Sequence, residues 1–271
     1  MVIKSDPAYE APFGSRVGDT TLFLVRHAQS WCNLFGIISS PELDHNKLGR
    51  VTCAGLVGIC ELARAFARRE VCIDSVYSSM VPRAKETAFI FRGVFNRISH
   101  DKNRCFSNII YDNRLREVGM GDSGGILCED KNRLYGPKRD SIVEEHKVLS
   151  DRWKQVAVPG AESIADLQQR FFASLSEIGK NNIGKNVVVV THGKAIAAFL
   201  GMLMDQSETD FHIKNCQVVR VVMTTHYSCP PSFDVTNSDW TAIELDSTYL
   251  QPLKPKQESP KVEKSQSCTL V

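Results

Sequence analysis

Two histidines in this chain stand directly after runs of strand-forming residues. Leu22-Phe23-Leu24-Val25 leads into Arg26-His27, and Val187-Val188-Val189-Val190 leads into Thr191-His192-Gly193. A neutral imidazole is a competent nucleophile near neutral pH, and an arginine fork matches the oxygens of a phosphate. Arg83 follows another β-type run, residues 73–77, and sits in the first turn of a helix opened by Pro82, where anions are favoured. Glu117 follows a further short run at 108–111, and Asn33 comes six residues after His27. Each of these alone has an ordinary structural explanation. Their repeated placement just beyond strands is what points to a pocket, because open α/β sheets bind ligands at the carboxyl ends of their strands. That pocket would hold two arginines, two histidines, one carboxyl group and one amide.

The elements that must position these groups are legible as alternating patterns. Residues 22–25 and 187–190 are apolar without interruption, as expected of strands buried on both faces of a parallel sheet. Thr52 can cap a helix whose Leu56, Ile59, Leu62 and Phe66 recur at helical spacing. Further helices are predicted from about Ser163 through Leu167, Phe171, Leu175 and Ile178, and over 195–204; further strands are predicted at 218–223 and 240–245. Strands alternating with helices give an α/β fold, a three-layer sandwich with a mainly parallel central sheet flanked by helices. Residues 1–19 read as a flexible leader, 20–250 as one domain and 251–271 as a disordered tail. Within the domain, 119–160 is glycine-rich and highly charged, which predicts an irregular insert or lid with some helix around 141–153.

Composition narrows the function. At 271 residues the chain can bury one substantial core. A formal net charge of +2 and a pI of about 8.0 argue against a nucleic-acid partner. The nine cysteines are scattered, form no Cys-x-x-Cys pair and show no zinc-site spacing, so no metal is expected and a reduced, cytoplasmic setting is the economical reading. Residues 1–6 lack the apolar core of a signal peptide, and no window approaches the length of a membrane span.

With these residues assembled, the chain resembles the histidine phosphatase superfamily, in the branch that includes cofactor-dependent phosphoglycerate mutases. Leu24-Val25-Arg26-His27-Ala28-Gln29-Ser30 with Asn33 is similar to the family signature. Val51-Thr52-Cys53-Ala54-Gly55 resembles its helix-opening element, and Ser78-Ser79 through Arg83-Ala84 and Thr87-Ala88 its second motif. Leu115-Arg116-Glu117 with Gly121, Gly160-Ala161-Glu162-Ser163 with Arg170, and Thr191-His192-Gly193 complete the order over about residues 21–245. The resemblance implies that His27 becomes a phosphohistidine, that Arg26, Arg83 and His192 surround the phosphoryl oxygens, and that Glu117 exchanges the proton. It also implies phosphate contacts from Asn33 and Gly193 and a substrate contact from Ser39, a residue that suits a turn role equally well. No cofactor and no metal are expected.

The sequence departs from that pattern in two places. The family usually has glycine and then glutamate after its first histidine, whereas this chain has Ala28 and Gln29. The added methyl of Ala28 is expected to crowd the turn. Mutases of the family carry Arg and Tyr soon after the acid, and this chain reads Glu117-Val118-Gly119-Met120-Gly121-Asp122. Hydrolysis of a phosphorylated metabolite or phosphoprotein is therefore the first expectation, ahead of mutase or bisphosphatase activity and of a regulatory scaffold using the fold for binding. Lys131, Arg133, Lys138 and Arg139 read as a solvated charged face, with a second anion site as the alternative. Cys268-Thr269-Leu270-Val271 has the form of a prenylation box, which would bring membrane attachment, and its end resembles a ligand for peptide-binding domains. An unmodified tail is the preferred reading.

Overall fold

A computed structural model describes residues 16–99, 108–226 and 230–235. Its strands are β1 (Arg16–Arg26), β2 (Ser75–Ser78), β3 (Ile109–Tyr111), β4 (Asn186–Thr191), β5 (Val218–His226) and β6 (Ser232–Asp234). Its α-helices are α1 (Trp31–Phe35), α2 (Pro41–Asp44), α3 (Cys53–Arg68), α4 (Pro82–Ile98), α5 (Cys128–Glu145), α6 (Leu149–Arg152), α7 (Ile164–Lys180) and α8 (Gly193–Met204). The strands form one sheet in the order β3-β2-β4-β1-β5-β6. The pairs β3–β2, β2–β4 and β4–β1 are parallel, while β5 and β6 add antiparallel edges.

The uninterrupted apolar runs arise because both faces of the central strands are covered. Leu22 and Leu24 join Val187, Val189, Phe171 of α7 and Phe199 of α8 on one face. Phe23 and Val25 join Val188, Val190, Phe66 of α3 and Phe91 of α4 on the other. Each such fully buried side chain contributes about 1.5–3 kcal/mol from water exclusion. Thr52 and Ser163 cap α3 and α7 through their side-chain oxygens, the first as the sequence predicts. At α4 the cap residue is Val81, with no side-chain bond, and Pro82 sets the first turn.

Two expectations need correction. Residues 16–19, assigned to a flexible leader, belong to β1, where Gly18, Asp19 and Thr20 pair with β5; residues 1–15 lie outside the described residues. The antiparallel partner carries this polar stretch, which has no apolar signal of its own. The segment 119–160 is only partly irregular: α5 runs for 18 residues, although Pro137 lies within it and removes one helical hydrogen bond. Only Gly136 and Ile142 of that helix are buried, so no helical stripe marks it in the sequence. The helix expected around 141–153 is the end of α5 followed by the short α6. The strand expected at 240–245 and the tail with Cys268 lie outside the described residues. Among the described residues no helix is long and apolar enough to cross a membrane.

Candidate active site

Parallel registry brings the strand ends together. Arg26 lies opposite Thr191 across β1 and β4, and Ser78 opposite Val190 across β2 and β4. The residues that follow, His27, Ser79 and His192, are thereby held at one edge. His27 N–H donates to the Thr191 carbonyl at 2.8 Å and Ser79 N–H to the Val190 carbonyl at 2.9 Å. The two imidazoles lie 5.0 Å apart, centroid to centroid, inclined at 61°.

Arg83 organises both rings. Its Nε donates to His27 Nε2 at 3.1 Å, and Nη2 lies 3.4 Å from His192 Nδ1. A guanidinium only donates, so both of these ring nitrogens are acceptors. The His27 proton therefore sits on Nδ1 and is given to the Ala28 carbonyl at 2.7 Å. The His192 proton sits on Nε2 and meets Ser79 Oγ at 2.9 Å. Both rings are buried, and burial first, then the positive charges of Arg83 and Arg26, hold both pKa values well below the usual imidazole range. Each is neutral near pH 7, with the His27 Nε2 lone pair directed into the arginine cluster.

Arg26 comes from the last residue of β1. Its Nη1 donates to the Ile213 carbonyl at 2.6 Å, while its buried Nε has no partner among the described residues. A Cβ on Gly193 would lie 3.1–3.3 Å from Arg26 Nε, Cδ and Cζ, so the glycine is what lets the guanidinium lie across the start of α8. Glu117 sits on the far side: its Oε1 accepts from Val118 N–H at 3.0 Å, and its Oε2 from Lys194 N–H, in the first turn of α8, at 3.3 Å. Arg83, Glu117, Ser39 and the backbone around Met120 and Gly121 line a cavity of about 140 Å³.

The loop carrying Glu117 is clamped by a residue placed 53 positions away. Arg170 donates to the carbonyls of Arg114, Arg116 and Glu117 at 2.6–2.9 Å and forks onto Glu162 through Nε at 2.6 Å and Nη2 at 2.7 Å. Glu162 Oε2 also accepts from Gly119 N–H at 3.0 Å. One guanidinium thus satisfies three carbonyls that would otherwise be orphaned in a turn.

Asn33 and Ser39 occupy different places. Asn33 Oδ1 accepts from Ser30 N–H at 3.1 Å in the capping box of α1, and Asn215 Nδ2 reaches it at 3.3 Å. Asn215 also donates to the His27 carbonyl at 2.9 Å, which makes it a tie between α1 and the histidine that sequence reading missed. Ser39 Oγ accepts from Arg83 Nη1 at 2.8 Å and donates to Asp44 Oδ1 at 2.8 Å. Asp44, also missed, forms a direct ion pair with Arg83 Nη1. The expected crowding at Ala28 does not occur. Its φ is not in the left-handed region, its methyl packs into the core beside Val25 and Ala84, and its N–H donates to Thr87 Oγ1 at 3.0 Å. Gln29 bonds Thr52 through its side chain at 2.9 Å, and Gly55 leaves room for its backbone, since a Cβ there would stand 2.4 Å from the Gln29 carbonyl. The Thr52-x-x-Gly55 spacing is therefore a docking of α3 onto the His27 turn. Of the four basic residues in 131–139, Arg133 and Arg139 are exposed, whereas Lys131 is half-buried with its ammonium 3.7 Å from Met120 Sδ.

A family model, histidine phosphatase superfamily (branch 1), matches residues 22–229. The chain belongs to this family. The metal-independent phosphoserine phosphatase of Arabidopsis thaliana is 26% identical over 208 residues, covering 72% of this chain and 77% of that protein. Phosphoglycerate mutase-like protein 4 of the same plant is 29% identical over 180 residues, covering 65% and 67%. Among solved structures, a phosphoglycerate mutase from Bacillus anthracis superposes with a TM-score of 0.63 at 20% identity, over 83% of this chain and 96% of that one. That likeness shows the fold: a phosphoglycerate mutase-like α/β sandwich. The family assignment makes the chain a phosphatase of the histidine type.

Proposed function

We propose that this phosphatase hydrolyses a phosphomonoester through a phosphohistidine on His27, without a metal. The observation that carries the reading is the neutral His27, whose Nε2 is an acceptor facing Arg83. An incoming phosphoryl group takes up Arg83 and Arg26, and Nε2 bonds to phosphorus as the ester P–O bond breaks. The departing oxygen takes a proton from the Glu117 carboxylic acid and leaves as an alcohol. Water then attacks phosphorus, gives a proton to the Glu117 carboxylate, and the P–N bond breaks to release phosphate and restore neutral His27. Arg26, Arg83 and the first turn of α8 stabilise the charge on the phosphoryl oxygens. The phosphorylated small molecule or phosphoprotein that supplies the ester is a separate question. Val118 and Met120, standing where mutases carry Arg and Tyr, favour hydrolysis over phosphoryl return.

The test is chemical trapping. Quenching the protein in alkaline detergent during turnover of a labelled phosphomonoester should give an acid-labile, base-stable label that maps to His27. Label on another residue, or none under conditions of measured turnover, would overturn the covalent route.

A second outcome follows from the packing of Arg26. Gly193→Ala pushes a methyl against the guanidinium, so kcat/KM for an aryl phosphate should fall about tenfold, or about 1.4 kcal/mol, with the melting temperature little changed. Steady-state kinetics and a thermal melt of the same preparation decide it; unchanged kcat/KM would remove Arg26 from phosphoryl binding.

A further inference from the structure

Asp44 is a carboxylate in a cavity otherwise built to receive an anion, and it has no place in the reaction described above. It ends α2, where its N–H donates to the Ser40 carbonyl at 2.9 Å. The side chain is 15% exposed and lines the same cavity as Arg83 and Glu117. Both of its hydrogen bonds, from Ser39 Oγ and from Arg83 Nη1, go to Oδ1. Oδ2 has no partner among the described residues, so it is the acceptor left for a bound molecule.

When a phosphoryl dianion arrives, it shares the Arg83 guanidinium with Asp44. Two anions then draw on the same Arg83 guanidinium, and Glu117 adds a second carboxyl group to the wall. Arg116, the other cation lining the cavity, already faces Glu162 at 3.4 Å. A leaving group that brings its own positive charge to Oδ2 removes the conflict, whereas one that brings a further carboxylate deepens it. Resting on the phosphatase reading, we propose that Asp44 selects phosphomonoesters whose leaving alcohol carries an ammonium group close to the ester oxygen. A 2-aminoalkyl phosphate has that arrangement: two carbons between ester oxygen and nitrogen let the ammonium fold back beside the phosphoryl group. Asp44 acts here as a specificity residue, taking a charge-assisted hydrogen bond from the substrate and leaving the bond-making steps to His27 and Glu117.

The experiment compares two substrates of equal length, O-phosphoethanolamine and ethylene glycol monophosphate, on the full chain and on Asp44→Asn. The parent should prefer the amine by tenfold or more in kcat/KM, and the ratio should collapse toward one in D44N. Because the readout is a ratio within each protein, a general loss of activity in the variant does not imitate it. An independent measurement on the parent alone compares inhibition by 2-aminoethylphosphonate and by ethylphosphonate, with the amine expected to bind at least tenfold more tightly. Equal ratios in parent and D44N, no amine preference in the parent, or a D44N protein that gains equally on both substrates would overturn the proposal. The last of these would make Asp44 a competitor for Arg83 and nothing more. Turnover of an aryl phosphate by the parent, lost in His27→Ala, reports on the phosphatase reading separately. If that turnover stands and the amine preference is absent, only the role of Asp44 falls.

Discussion

A His27→Ala protein is expected to turn over p-nitrophenyl phosphate at least about a thousandfold more slowly than the parent, a loss of about 4 kcal/mol of transition-state stabilisation. The size follows from chemistry. Without the imidazole no nitrogen is placed to form the covalent intermediate, and what remains is charge stabilisation by Arg26, Arg83 and the start of α8. Those groups are anchored independently of the ring: Arg26 through the Ile213 carbonyl, Arg83 through Ser39 and Asp44. Orthovanadate or inorganic phosphate should therefore still bind the variant, and kcat should fall far more than affinity. The fold should survive, because removing the ring frees one Arg83 N–H that water can take up in the space vacated. Kinetics, a vanadate titration and a thermal melt on the same preparation separate these effects. A variant that keeps its kcat would exclude His27 as nucleophile, whereas one that loses kcat, vanadate binding and its melting transition together would show a collapsed pocket.

How much of this was readable beforehand depends on range. Residues 22–25 and 187–190 announce buried parallel strands because apolar side chains fill both faces, and the histidines that follow them meet because β1 and β4 run in register. Thr52, Pro82 and Ser163 mark helix starts by local chemistry. Local patterns fail where tertiary partners decide. α5 is polar on nearly all sides and carries Pro137, so it looks like loop. β6 has three residues and exists through its pairing with β5. Asp44 in Pro41-Glu42-Leu43-Asp44 reads as an ordinary acidic residue in a short helix, since Arg83, its partner, is 39 positions away. Asn33 carries two readings at once: the family resemblance assigns it to phosphate, while Ser30-x-x-Asn33 is also a capping box, and the structure engages its Oδ1 there. Arg170 was visible as part of a motif, yet its use, holding three carbonyls of the Glu117 loop, depends on a fold that brings 114–119 against α7.

The arginine and histidine cluster around His27 should make the protein sensitive to mild acid. His27 and His192 are both buried, and both are held well below the usual imidazole pKa, by burial first and by Arg83 and Arg26 second for His27, with His27 adding to the effect on His192. In the unfolded chain each titrates near about 6.5. Below that pH the unfolded state binds protons that the folded state refuses, so stability is present above the unfolded pKa and is lost as pH falls toward the folded values. Each histidine contributes a slope of up to about 1.36 kcal/mol per pH unit, so the pair gives up to about 2.7. Between pH 7 and pH 5 the loss should reach about 2–4 kcal/mol. The carboxylates held low by their arginines, Asp112 and Glu162, act in a separate window, because their stabilising effect is lost only as pH falls below the unfolded carboxylate range near about 4. Denaturant unfolding at half-unit steps from pH 7.5 to 5 isolates the histidine contribution. Replacing His27 by Asn should roughly halve the slope in that window, since one buried imidazole is left to exclude a proton. A stability that stays flat from pH 7.5 to 5 would mean that the two rings accept protons in the folded protein as readily as in the unfolded one, and that burial and the arginines do not hold them neutral in mild acid.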